Sequence, residues 1–214
     1  MSESCEAWLG EKQGERCVEA LKSHGFDAHF VSTSEEARDL VLMLIGGYES
    51  FGFGGSNTTR SIGILDELKA RGKKILDHWQ GEVLGEQTRT IRLEQGRCDC
   101  FLSSANAISA TGEIVNVDAL GNRTNAMSFG PRKTVIVAGI NKVRPDLESA
   151  LRRVREIAAP MRARSLNMKT PCAETGVCTD CNSPQRICRI TTILHRKPMM
   201  SDISVVLVNE SMGF

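Results

Sequence analysis

YESFGFGGSNTTRSIGILDELKARG, residues 48–72, carries the reading on which the fold class turns. Glu49 to Phe53 has the aromatic, alternating character of a strand, and it runs straight into glycines. Beyond them Ile62, Leu65 and Leu68 recur at helical spacing until Gly72 ends the pattern. A strand, a glycine turn and a helix thus stand in direct succession. Both flanks repeat the theme. Upstream, Ser4 to His24 reads as an amphipathic helix and Phe26 to Val31 as a strand. Thr33 and Glu36 then form a capping box for a second helix with an apolar stripe at Ala37, Leu40, Val41, Leu44 and Ile45, closed by Gly46-Gly47. Downstream come a short strand in KKILDHW (residues 73–79), a helix over Leu84–Gln95 and a strand over Cys98–Ser103. A hairpin over Ala107–Val117 turns at Thr111-Gly112.

TVIVAG, Thr134 to Gly139, is a continuous apolar run of the kind a strand buried on both faces requires. A long helix follows Pro145, with Leu147, Ala150, Leu151, Val154, Ile157, Ala158 and Met161 in register and Pro160 expected to kink or end it. Ile203 to Val208 is a last apolar strand. Strands alternating with helices imply a parallel or mixed sheet covered on both faces, an α/β sandwich. No repeat, low-complexity tract or linker divides the chain, so residues 1–214 are read as a single α/β domain with a cysteine-rich segment at 171–188.

The 214 residues are 41% hydrophobic and 25% charged, with a net charge of +1. That balance excludes the strong basic excess of a general nucleic-acid binder. The longest apolar run, LVLMLIGG from Leu40, is too short to cross a bilayer. MSESCEAWLGEKQGER at the start lacks the basic and apolar regions of a signal peptide. A cytoplasmic, reducing location is therefore expected, with no membrane and no nucleic acid as partners.

Two polar segments are candidate ligand sites. GFGGSNTT, Gly52 to Thr59, lies between the predicted strand and helix, where backbone amides can approach a phosphate or carboxylate. Gly52, Gly54, Gly55, Ser56, Asn57 and Thr58 are its candidate residues; the alternative is a capped strand-to-helix turn. It is not a Walker loop, because the lysine and spacing of that motif are missing, and it lacks the acidic residue of a dinucleotide site. The second segment, NVDALGNRTNAMSFGP (residues 116–131), is expected as a loop at the ends of strands, where open α/β sheets bind ligands. In it Asn122 and Arg123 are candidate anion ligands, against a loop that satisfies its own backbone.

PCAETGVCTDCNSPQRIC, residues 171–188, places Cys172, Cys178, Cys181 and Cys188 in a C-x5-C-x2-C-x6-C pattern. Four thiolates suit zinc in a closed site or an iron–sulfur cluster, and the spacing matches neither the ferredoxin run nor a zinc ribbon. The metal stays open between the two, with a redox dithiol at Cys178 and Cys181 or buried free thiols as alternatives. Cys98 and Cys100 are expected to share one face of a strand, and Cys5 and Cys17 to be core residues of the first helix. His24, His29, His78 and His195 form no motif. Glu113 is explained by its turn position. Arg152, Arg153, Arg155, Arg162 and Arg164 read as a solvated face, with Glu148 at pairing distance from Arg152. No residue is assigned a catalytic role.

GFGGSNTT, then TGEIVNVDALGNRTNAMSFGP, then TVIVAGINKVRPDLESALRRVR resemble the LUD-domain (lactate utilization) proteins. TGVCTDCNSPQRIC and the terminal VVLVNESMGF are similar to the branch of that family with a C-terminal cysteine cluster. The resemblance covers nearly the whole chain, with its motifs in the same order. It implies a mostly parallel three-layer α/β/α sandwich like that of the sugar-phosphate isomerase and CoA-transferase group, in which the loop matching Gly52–Thr59 binds phosphate or carboxylate. It also implies a link to oxidation of L-lactate to pyruvate alongside iron–sulfur redox subunits. Unlike larger relatives, this chain has no ferredoxin cysteine run. The leading expectation is a protein that binds a small anionic metabolite, a hydroxy or keto acid, and holds a metal through its four cysteines. A stand-alone isomerase or transferase acting on a sugar phosphate or acyl-CoA is the alternative, as is a non-catalytic accessory subunit. A second copy of the chain is a further candidate partner.

Overall fold

The computed structural model describes residues 4–80 and 84–214. Helix α1 (Cys5–Ser23) opens with Ser4 accepting from the Ala7 amide, and leads to β1 (Asp27–Val31). Helix α2 (Ser34–Leu44) is capped by Thr33, which accepts from the Glu36 amide, while the Glu36 carboxylate reaches back to the amide of Ser32. Strand β2 (Ser50–Phe53) then enters the glycine turn. The helix expected beyond it is two, α3 (Asn57–Ser61) and α4 (Ile64–Ala70), because Gly63 takes a left-handed φ of 76° between them. Next come β3 (Lys74–Asp77), α5 (Glu86–Gln95), β4 (Cys100–Ser103) and the hairpin β5 (Ala107–Ser109) and β6 (Ile114–Asp118).

The polar segment 116–131 is not a loop. It holds the end of β6 and helix α6 (Asn122–Ser128), which starts where Gly121 turns the chain. Strand β7 (Lys133–Gly139) and the two-residue β8 (Val143–Arg144) precede α7 (Leu147–Arg153), whose N-cap Asp146 accepts from the Ser149 amide. The long helix continues as a π-helical turn over residues 154–158 and then as α8 (Ala159–Ser165). Pro160 falls in the first turn of α8, where a missing donor is tolerated, so the proline does not end the helix. Helix α9 (Pro171–Thr175), β9 (Ile190–Leu194) and β10 (Ile203–Val208) complete the chain.

The main sheet has the order β1-β10-β7-β4-β2-β3, and every pairing in it is parallel. Period-two alternation along its strands feeds two cores. Phe101, Ile136, Ala138, Ile203, Val205 and Leu207 face one side, against α1, α6 and the hairpin. Cys100, Leu102, Val135, Val137, Val206 and Val208 face the other, against α2 and α4. The result is an α/β sandwich, with a second sheet of order β8-β5-β6-β9 added on the first side. That small sheet packs Ala107 and Val115 against Ala150 and Val154 of the long helix. Cys98 precedes β4, so it and Cys100 lie in opposite cores instead of sharing a face. Cys17 is core as expected, whereas Cys5 is exposed. No helix among the described residues is long and apolar enough to cross a membrane.

Phe101 is fully buried between the main sheet and the helices of the first core. Phe101→Ala is expected to destabilise the fold by about 3–5 kcal/mol, read as a lowered urea midpoint with an unchanged slope.

Candidate functional site

From β2 the chain passes to β3, its neighbour on one side; from β4 it passes through the hairpin to β7, on the other side. β2 and β4 are themselves adjacent, so their outgoing connections diverge and leave a crevice at the carboxyl ends of the strands. A cavity of about 450 Å³ occupies this crevice, within the roughly 300–1,000 Å³ range of small-molecule sites. Gly55, Ser56, Asn57 and Thr58 line it after β2, His78 and Trp79 after β3, Ser104 to Asn106 after β4, and Lys142 after β7. Asn122 and Arg123 of α6, Arg92 of α5 and Arg162 of α8 complete the polar wall.

Six of the sequence-derived candidates thus share one cavity: Gly55, Ser56, Asn57, Thr58, Asn122 and Arg123. Gly52 and Gly54 do not line it. A Cβ on Gly52 would meet Cys98 and Phe101, and one on Gly54 would meet Ser103, so these glycines allow the strand to pack. Gly55 lets the backbone pass beneath Trp79, whose Nε1 would lie 2.8 Å from an added Cβ. The Ser56 hydroxyl caps α3 by accepting from the Thr59 amide at 3.2 Å, and α3 is a little over one turn long. A helix this short offers little of an N-terminal anion site, so the polar character of the cavity comes chiefly from side chains.

Those side chains are mostly cations. Arg123 is the most constrained: Nε donates to Asp118 Oδ1 at 2.9 Å, and Nη2 donates to Asn106 Oδ1 at 2.7 Å and to the Val117 carbonyl at 2.8 Å. It clamps the β4–β5 connection to β6 as well as facing the cavity. Arg60 pairs with Asp77 at 2.7 Å, and its guanidinium lies 4.0 Å from the Trp79 ring centroid; that of Arg162 lies 5.2 Å away. Arg92, Lys142 and Arg162 have no carboxylate partner among the described residues, and the buried Nε of Arg92 has no hydrogen-bond partner there. Burial holds Arg92 below the ordinary arginine range. Burial does the same to Arg162, helped by Arg123 and Arg60. His78 is pushed down to about 4 by burial and by Arg92, so it is neutral at physiological pH. Lys142 donates to Ser104 Oγ at 2.8 Å and to Thr58 Oγ1 at 3.2 Å. Burial, then Arg153 and Arg123, bring it from 10.5 to about 7.

The arginines read as a solvated face divide. Arg152 is exposed and pairs with Glu148, but Arg153 is 3% exposed and donates to the carbonyls of Asn106 at 2.5 Å and Asn141 at 3.1 Å. Arg92, Lys142 and Arg162 carried no sequence signal beyond lying near the carboxyl ends of strands or on helices beside them. Glu113 stays at the hairpin turn. Burial raises its pKa, but hydrogen bonds from Ser109 and Thr111 outweigh that and hold it below the ordinary carboxylate range. His195 is exposed.

The four cysteines at 172–188 are free thiols of intermediate exposure. Cys172 Sγ sits 3.4 Å from Thr170 Oγ1 on α9, while Cys178 and Cys188 line a separate cavity of about 380 Å³ beside α7. Arg186 holds the segment between them, pairing with Asp180 at 2.7 Å and donating to the carbonyls of Cys181 and Cys188. Among the described residues no three His, Cys, Asp or Glu side chains are grouped as metal ligands. As folded, the four sulfurs are not gathered as the ligand set of one zinc ion or cluster.

Two measurements test these assignments. A thiol reagent is expected to modify Cys5, Cys172, Cys178, Cys181 and Cys188 rapidly in the native protein, and Cys17, Cys98 and Cys100 only on unfolding. A metal bound at the segment would withdraw its four cysteines from the rapid class. Lys142 gives a pH signature. Between about 7 and 10.5 the unfolded chain keeps a proton that the folded chain has lost, so unfolding free energy rises with pH across that window. Lys142→Met is expected to flatten this rise in paired denaturation series.

Comparison with known proteins agrees with this architecture. A DUF162 family protein from Deinococcus radiodurans superposes with a TM-score of 0.56 at 15% identity, covering 94% of this chain and 98% of that one. No curated protein matches the sequence. The family model for the LUD domain matches residues 14–208, from within α1 to the end of β10. The chain belongs to the LUD domain family.

Proposed function

We propose that the crevice between the ends of β2 and β4 binds a small organic acid of the hydroxy- or keto-acid type, in lactate or related metabolism. The observation that carries this reading is the excess of buried or half-buried cations. Arg92, Lys142 and Arg162 face the cavity without carboxylate partners among the described residues, and its acid Asp118 is already engaged by Arg123 and by the Thr124 amide. Like charges held together in a partly desolvated crevice depress one another's ionisation, and an entering carboxylate relieves that cost. The volume suits a compact ligand, and Ser56, Asn57 and Asn122 offer polar groups for a hydroxyl or carbonyl beside the carboxylate. Membership of the family named for lactate utilization supports the same substrate class.

Binding of an anion raises the Lys142 pKa, so the complex takes up a proton above about pH 7 and affinity falls as pH rises through that value. Lactate titrated calorimetrically in buffers of different ionisation enthalpy is expected to show this uptake. Arg92→Ala is expected to weaken binding roughly 10- to 100-fold, as loss of one charged hydrogen bond does. A thermal-shift panel that responds to sugar phosphates or acyl-CoA but to no hydroxy or keto acid would replace this reading with the transferase or isomerase alternative.

A further inference from the structure

Binding a carboxylate gives Arg92 and Arg162 a clear task but leaves the design around Lys142 unexplained. An ordinary anion-holding lysine keeps its charge at an accessible position. Lys142 is 3% exposed, yet it lines the cavity. Its two hydrogen bonds, to the hydroxyls of Ser104 and Thr58, match the two N–H groups of a neutral amine. An ammonium would hold a third donor. The cations Arg153 and Arg123 stand near it, and Asp118, a carboxylate that lines the cavity, is already taken up by Arg123 and the Thr124 amide. With its pKa lowered to about 7, a large share of the side chain is an unprotonated amine at neutral pH. Lysines that are desolvated and set beside another cation are the ones that attack carbonyls.

Resting on the organic-acid reading of the same cavity, we infer that Lys142 is a nucleophile that condenses with the carbonyl carbon of a 2-oxo acid to form an imine. The Nζ lone pair forms a C–N bond to that carbon while the carbonyl π pair moves onto oxygen. The oxygen gains a proton and the nitrogen gives one up, leaving a carbinolamine. The carbinolamine C–O bond then breaks as its hydroxyl takes a proton and departs as water, the nitrogen lone pair completes C=N, and the nitrogen returns its remaining proton to leave the neutral imine. Amine plus ketone gives imine plus water, with no oxidation or reduction and no further reactant. Ser104 and Thr58, whose hydroxyls already lie on Nζ, are placed to relay these protons, and Arg92 and Arg162 are placed to hold the carboxylate. Once protonated, the imine is an electron sink. The chemistry it serves is loss of a proton or of carbon dioxide from an atom next to the former carbonyl carbon.

The test is reductive trapping on the wild-type protein. Pyruvate and cyanoborohydride at mildly alkaline pH, followed by intact mass measurement and peptide mapping, are expected to give one adduct per chain, with the mass of the reduced 2-oxo acid, at Lys142. Lactate, which has no carbonyl, is expected to give none, and Lys142→Arg to lose the adduct. Calorimetry of pyruvate without reductant runs beside it. Pyruvate binding with no adduct at Lys142, or adducts spread over surface lysines equally in wild type and Lys142→Arg, overturns the imine and leaves the organic-acid site standing. Absence of binding by both pyruvate and lactate overturns the site and the imine together. Because the mapping uses the wild-type chain, the adduct's position is read whether or not the variant folds.

Discussion

β7 is hydrogen-bonded in parallel to β10 on one side and to β4 on the other, and all seven of its residues are buried. A parallel strand at the centre of a sheet cannot be reached by a tight turn, so each neighbour requires a crossover, and each crossover must cover one face. The apolar alternation of β7 and β10 makes both faces dry and forces helices onto both. That requirement sets the direction in which every connection leaves the sheet. The crevice between β2 and β4 exists because two adjacent strands send their chains opposite ways, and the polar residues after β2, β3, β4 and β7 meet there as a consequence.

The crevice gathers charge that the net composition hides. A chain with a formal charge of +1 places Arg60, Arg92, Arg123, Lys142 and Arg162 in or beside one cavity. Two of the five are neutralised by Asp77 and Asp118. Arg92 and Arg162 have no carboxylate partner among the described residues, while Lys142 rests on the hydroxyls of Ser104 and Thr58 with its pKa brought down to about 7. Cations gathered in this way carry an electrostatic cost that the rest of the fold bears.

The strands were legible because burial on both faces leaves continuous apolar runs, as at Thr134–Gly139 and Ile203–Val208. The loop at Gly55–Thr58 was legible because glycines and hydroxyl residues stood between a strand and a helix. Gly52 and Gly54 belong to the same pattern of letters, but their reason is packing against Cys98, Phe101 and Ser103, which only the sheet reveals. Buried cations left no such trace. Arg152 and Arg153 are adjacent in sequence, and whether each meets solvent or backbone carbonyls depends on which side of α7 faces the hairpin. Helix α6 was hidden because its asparagines and serine have weak helix propensity; the Asp118 carboxylate, accepting from the Thr124 amide, supplies the start signal from outside the helix. Cysteine spacing announced a cluster, while sulfur directions are set by the irregular backbone that Arg186 pins in place.

The π-helical turn at residues 154–158 has a consequence for aim. Arg153 and Arg162 are nine residues apart, and at about 100° per residue an uninterrupted α-helix would point them to opposite sides, roughly 180° apart. One residue absorbed in a wide turn takes back about 100° of that phase. The two guanidiniums are then only about 80° apart, so one helix delivers Arg153 to the carbonyls behind Lys142 and Arg162 to the cavity beside Trp79. The wide turn works as a phase corrector. A single inserted residue lets one rigid rod serve both the wall of the crevice and its support.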